Sequence, residues 1–221
     1  MILWVVLFGL VLGISFILAA QSMRDFSEIP SDEKEYSLFL IRHTQGLTPT
    51  LLDSIRNELL ESKAIISFER LFKGSKSAMV VFGPRSLLLN HVSSLDLLEL
   101  ENYTNVSPEF ISAWEVVVKK DAVLQNKVFA NLAHFPENEQ FWWQVILSHS
   151  FKPQITAIVV TADSTNRHNL SHNLQNLEGM QKLPKAFSNA QLLEFYQNRS
   201  VRKDNKNQAM HSEKILQLIL I

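Results

Sequence analysis

The 221 residues carry 21 Lys and Arg against 22 Asp and Glu, with 46% hydrophobic residues and no cysteine. A net charge of −1 gives no global pull towards nucleic acid, so direct binding of DNA or RNA is not expected. The lack of cysteine excludes a disulfide scaffold, thiolate metal sites and a cysteine nucleophile.

The chain opens on Ile2 to Ala20, ILWVVLFGLVLGISFILAA, nineteen residues without a charge. A helix of that length reaches about 28 Å, roughly the hydrocarbon thickness of a bilayer. Thirteen of the nineteen are Leu, Ile, Val or Phe, each favouring insertion by about 0.3–0.6 kcal/mol near the helix centre. No Lys or Arg precedes the run and Leu18-Ala19-Ala20 is a poor cleavage site, so residues 1–21 are expected to be an uncleaved anchor rather than a signal peptide. Arg24 and Lys34 lie beyond the span, within or close to the acidic linker at 22–35, which puts the soluble part on the cytoplasmic side. The opposite topology would make it an extracytoplasmic ligand-binding domain.

Tyr36 to Arg42 is a short apolar run ending at the turn-like His43-Thr44-Gln45-Gly46, and predicts a strand. Thr48-Pro49 then supplies an N-cap and a first-turn proline for a helix with Leu51, Leu52, Ile55 and Leu59 on one face. Ala64 to Phe72 and Ser77 to Phe82 predict two strands joined by a hairpin at Lys73-Gly74-Ser75-Lys76. Gly83-Pro84 opens a helix through Leu88, Val92 and Leu95, and Asp96 to Tyr103 supplies a fourth strand. The order βαββαβ over residues 36–106 is the ferredoxin-like arrangement, an α/β (α+β) class in which two helices pack on one face of an antiparallel sheet.

The pattern restarts over residues 107–198. Ser112 to Lys119 places Trp114, Val116 and Val118 on one face of a strand, and Ala122 to Ala133 has helical spacing. Glu139 to Ser148 fits a helix or a strand; its aromatic and β-branched content, with Phe141, Trp143, Val145 and Leu147 alternating, favours the strand. Gln154 to Ala162 predicts another strand, and Asp163 or Ser164 caps a helix that runs to about Glu178, before Gly179. The expected fold is therefore an N-terminal transmembrane helix followed by tandem ferredoxin-like units. Ser188 caps a further helix through Leu192, Leu193 and Tyr196. Residues 199–221 are expected to form a polar linker and a short C-terminal helix from Ser212. The basic stretch Asn198 to Gln208, with Arg199, Arg202, Lys203 and Lys206, is expected to be solvated, the alternative being contact with phosphate or an acidic partner.

No complete catalytic constellation emerges, and no metal or cofactor site is expected. Arg42-His43 at the end of a strand resembles the R-H-G motif of the histidine phosphatase family, with Thr44 where that family has Gly. That likeness implies a phosphoryl-transfer enzyme using Arg42 and His43; the alternative is a turn after an edge strand. His168 and His172, at i and i+4 on a helix, have zinc-chelating spacing but lack the H-E-x-x-H glutamate and a nearby third ligand. Lys73 to Ser77 lacks the phosphate-loop spacing and joins two strands. Trp114, Trp142 and Trp143 are expected in the core rather than on a binding platform.

Several stretches resemble the N-terminal, non-catalytic region of membrane-associated ATPases of conjugative DNA transfer and type IV secretion, related to the HerA-like and FtsK-like translocases. They are Ser67-Phe68-Glu69, Met79 to Pro84, Glu99 to Thr104, Asn138 to Leu147 and Ser212 to Leu216. The resemblance implies a docking or adaptor module that works with a P-loop ATPase or another secretion component, and it allows a homo-oligomer. Nothing corresponds to Walker A or Walker B, so no catalytic residue carries over. The chain is expected to be either a separately encoded module or part of a longer ATPase.

Overall fold

The computed structural model describes residues 26–27, 36–119, 137–175, 179–183, 187–202 and 205–220. The expected anchor at Ile2–Ala20 and the expected helix at Ala122–Ala133 lie outside them. Among the described residues no helix is long and apolar enough to cross a membrane.

The fold is mixed α+β around an antiparallel sheet. The first half contains β1 (Phe26–Ser27), β2 (Tyr36–Ile41), α1 (Pro49–Ser62), β3 (Ile65–Lys73), β4 (Lys76–Pro84), α2 (Arg85–Leu89), α3 (Val92–Leu95) and β5 (Leu97–Leu100). The second contains β6 (Ile111–Val118), β7 (Gln140–Ser148), β8 (Gln154–Val160), α4 (Ser164–Gln175), β9 (Met180–Lys182), α5 (Asn189–Gln197), β10 (Val201–Arg202) and α6 (Ser212–Leu220). Eight strands stand in the order β5-β2-β4-β3-β7-β8-β6-β9, while β1 pairs with β10 separately. The second four strands mirror the first, so β3 and β7 meet at the centre. Their antiparallel register runs from Ile65 opposite Ser148 to Lys73 opposite Gln140.

Local chemistry explains the element ends. Thr48 Oγ1 accepts from the Leu51 N–H at 3.2 Å, Pro49 fits the first turn, and Lys63 at φ 55° ends α1 in the left-handed conformation. Burial of Leu52, Ile55 and Leu59 then fixes the helix on the sheet, at about 1.5–3 kcal/mol per side chain. Gly74 at φ 55° supplies the positive φ of a two-residue β3–β4 hairpin closed by Lys73 and Lys76.

On one sheet face, Phe141, Trp143, Val145 and Leu147 of β7 join Trp114, Val116 and Val118 of β6 in the larger core. α6 packs there on α1, β3 and β7, and the Trp143 indole donates to Leu218 O at 2.8 Å. On the other face, α5 lays Leu192, Leu193, Phe195 and Tyr196 over Ile111, Ala113, Trp142, Ile158 and Val160. A capping box between Ser188 and Gln191 starts this helix.

Three expectations need correction. Gly83 and Pro84 pair with Ser37 and Tyr36, so the strand runs on to Pro84 and the helical stretch starts at Arg85, split into α2 and α3. β2 is not an edge strand, because β5 pairs along its outer side. Arg199 and Arg202 are buried at 4% and 7% exposure rather than solvated, because each finds a carboxylate inside the protein. The second half also gains the short strand β9.

Gly46 is required by close approach: a Cβ there would lie 1.9 Å from Ser94 O. Gly46→Ala is therefore expected to lower stability in urea unfolding by about 1–3 kcal/mol. Gly83→Ala, whose Cβ would come no nearer to any atom than 3.2 Å, from Ile66 Cγ1, is expected to cost less.

Candidate functional site

The most heavily bonded polar group lies at the junction of the two strand sets. Strand alternation puts Ser67 and Glu69 of β3 on the α5 face of the sheet, and the register sets Glu69 opposite Gln144 of β7. The Glu69 side chain is fully buried, where an unpaired carboxylate would be very costly. It accepts from Ser67 Oγ at 2.9 Å, Gln144 Nε2 at 3.0 Å and Arg199 Nε at 3.0 Å. Arg199 Nη2 at 3.4 Å and the Tyr103 hydroxyl complete the set. These donors saturate the roughly four acceptor positions of a carboxylate.

Each donor is itself held. The Tyr103 and Tyr196 hydroxyls share a hydrogen bond of 2.8 Å, and Trp142 packs against both rings. Gln144 Nε2 also donates to Tyr196 O at 3.0 Å. Arg199 Nη1 donates to Gln197 O, and its guanidinium lies 4.6 Å from the Phe82 ring centroid.

Burial first, and the Glu69 charge second, hold both tyrosine pKa values well above the ordinary phenol range. Burial alone would lower the Arg199 pKa, but the Glu69 carboxylate outweighs it and the value rises. A second buried pair, Arg202 with Glu115, lies on the same face, and Gln154 Nε2 donates to Ser200 O at 2.8 Å. This chemistry is internal: it binds β3, β7, the segment after β5 and the chain after α5 to one another.

The sequence candidates sit elsewhere. Arg42 Nε and His43 Nδ1 each lie 3.5 Å from Asp96 Oδ2, with all three side chains largely exposed. An open depression of about 440 Å³ adjoins them, lined by His43, Gly46, Ser93, Ser94 and Asp96. Arg42 and the His43 imidazole thus face a carboxylate, which would repel a phosphate. Trp114, Trp142 and Trp143 are buried. Asp163 Oδ1 accepts from the Thr165 and Asn166 N–H groups and so caps α4.

His168 and His172 are exposed on α4 and line a cavity of about 500 Å³ together with Arg167, Lys182 and Asn189. Among the described residues no three His, Asp or Glu side chains could hold a metal ion. Sequence reasoning missed the Glu69 cluster and the cavity's Arg167 and Lys182. One signal was available: Glu69 and Gln144 interrupt strongly apolar strands on their buried faces.

No protein-family model matches the chain, and no curated protein matches it. Two mutant chlorite dismutase structures from Candidatus Nitrospira defluvii, one of them in complex with cyanide, show a faint likeness. Each is 14% identical with a TM-score of 0.22; the first covers 76% of this chain and 98% of the other, the second 86% and 97%. A TM-score of that size carries no argument about fold or chemistry.

Removing Glu69 leaves the Arg199 charge buried without compensation. Glu69→Gln is expected to cost about 3–5 kcal/mol in urea unfolding, part of it recovered in the Glu69→Met/Arg199→Met double variant, which still takes the Glu69 acceptor from Ser67, Gln144 and Tyr103. The raised tyrosine pKa values mean that the folded protein keeps protons an unfolded chain releases near pH 10. Stability is thus full below about pH 10 and falls as pH rises from there towards the folded-state values. The Tyr103→Phe/Tyr196→Phe variant is expected to flatten that alkaline loss when unfolding is measured across the pH range.

Proposed function

We propose that the chain is a membrane-tethered, non-enzymatic docking module of a type IV secretion or conjugative DNA-translocation apparatus. In this reading residues 1–21 anchor it, with the soluble part on the cytoplasmic side. Residues 36–106 and 107–198 form two ferredoxin-like units, and the chain after 198 straps them together. Its partner is a P-loop ATPase or another secretion component, alongside a second copy of the module if it oligomerises.

The observation that carries the proposal is the β5 margin of the sheet; β5 and β9 each pair only inwards among the described residues, but the β6 stretch beside β9 is tied up further. At the β9 edge, the stretch of β6 that β9 leaves uncovered is closed by side-chain and loop bonds. Asn189 receives the Ala113 N–H at 3.3 Å and donates to Ile111 O at 2.9 Å, and the Leu183 N–H reaches Glu115 O at 3.0 Å. Such blocking protects an edge from further pairing. At the other margin, β5 pairs only inwards with β2, and no described residue bonds to its outer side. Leu98 there is 51% exposed. A strand edge without a partner among the described residues, beside an exposed leucine, suits strand addition by a partner segment. The anchor would raise the module's effective concentration beside a membrane-bound motor.

Two stretches that carry the family resemblance, Ser67-Phe68-Glu69 and Asn138 to Leu147, fall where the two units adjoin, at the β3–β7 pairing. The phosphoryl-transfer alternative gains no support from the Arg42, His43 and Asp96 geometry.

Affinity capture of the tagged full chain from solubilised membranes tests the proposal. Wild type is expected in the membrane fraction together with a P-loop ATPase or secretion component. Leu98→Lys is expected to keep the fold and the membrane location while weakening capture about tenfold or more, equivalent to about 1.4 kcal/mol. A chain found in the soluble fraction without any such component would refute it.

A further inference from the structure

The cavity at the β6 margin is independent of the docking edge and of the Glu69 cluster. It opens where β9 ends, between α4, the start of β6 and the start of α5, and its volume of about 500 Å³ falls within the range of small-molecule sites. Its lining is dominated by hydrogen-bond donors and cations. Arg167 and the imidazoles of His168 and His172 come from α4, Lys182 from β9, and the Ser112 hydroxyl from β6. Among the described residues Glu109 is the one carboxylate in the lining, and it is exposed.

Arg167 is preorganised. Its Nη1 donates to Glu109 O at 2.6 Å and to Thr161 O at 3.1 Å, which holds the half-buried guanidinium in place. Its Nε and Nη2 have no acceptor among the described residues. A guanidinium already held by two carbonyls loses little freedom when an anion binds, and its planar fork matches the oxygens of a phosphate. Asn189, also in the lining, is tied to Ile111 and Ala113, so that wall is fixed as well.

We infer that this cavity binds the phosphate group of a small molecule, with Arg167 as the fixed receptor and Lys182 as the second cation. His168, His172 and Ser112 donate around them. A phosphate group reaches such a cavity on a soluble metabolite or on a lipid headgroup, and recognition of the phosphate is common to both.

Titration calorimetry on the full chain in nonionic micelles, at constant ionic strength, tests the inference with inorganic phosphate as the probe and chloride as the control. Saturable binding in the millimolar range is expected. Lys182→Met should weaken it about fivefold or more with an unchanged unfolding midpoint, and Arg167→Lys, which keeps the charge but loses the fork, by a similar factor. Carbon-labelled histidine should report shifts of the His168 and His172 signals on phosphate addition, identified by their loss in His168→Gln and His172→Gln variants. Glycerol 3-phosphate compared with phosphatidic acid in mixed micelles identifies the source: tighter binding of the first assigns a soluble ligand, tighter binding of the second a headgroup. No saturable phosphate heat up to about 20 mM, or equal affinity in wild type and both cation variants, would overturn the site.

Discussion

The Glu69 carboxylate is the group on which the arrangement depends. A fully buried charge is tolerable only if every oxygen position is met, and here the donors come from four separate parts of the chain. Ser67 is local, Gln144 belongs to the other strand set, Tyr103 lies on the segment after β5, and Arg199 follows α5. None of these can leave without stranding the others. A carboxylate that must meet one amide, one phenol and one guanidinium fixes the register.

The two faces of the sheet divide the work. One is an apolar core in which α1 and α6 cover the central strands, and it supplies most of the burial. The other carries the polar seam beneath α5, with Glu69–Arg199 and Glu115–Arg202 in line. The chain after α5 crosses from the second face to the first around the β7–β8 turn: Asn205 Nδ2 donates to Lys152 O, the Met210 N–H donates to Phe151 O, and α6 follows. Internal pairing thus consumes the strongest charges on the seam. Among the described residues, the β5 strand lies at one margin of the sheet and the cavity lined by Arg167 and Lys182 near the other.

Much of the local structure was legible in the sequence. Thr48-Pro49 and Ser188 announced α1 and α5, Gly74 announced the hairpin, and the alternation of Phe141, Trp143, Val145 and Leu147 decided strand over helix for β7. Those signals act over a few residues, through capping, φ restriction and side-chain period. The contacts that join distant segments were not legible. Arg199 lies 130 positions from Glu69, and a basic run looks the same whether its partners are water or a buried carboxylate. Gly83-Pro84 misled for a related reason: pairing with β2 overrode the turn signal and prolonged the strand. His168 and His172 drew attention by spacing, whereas Arg167 and Lys182 join them only once β9 folds beside β6.

Native-state hydrogen exchange tests most directly whether one buried carboxylate makes the two strand sets a single cooperative body. Amides of β3, β4, β7, β8 and α6 are expected to share one opening free energy, equal to that of global unfolding, and in Glu69→Gln the whole group should fall together. Separate opening free energies for β2–β5 and for β6–β9 in the wild-type protein would contradict the account.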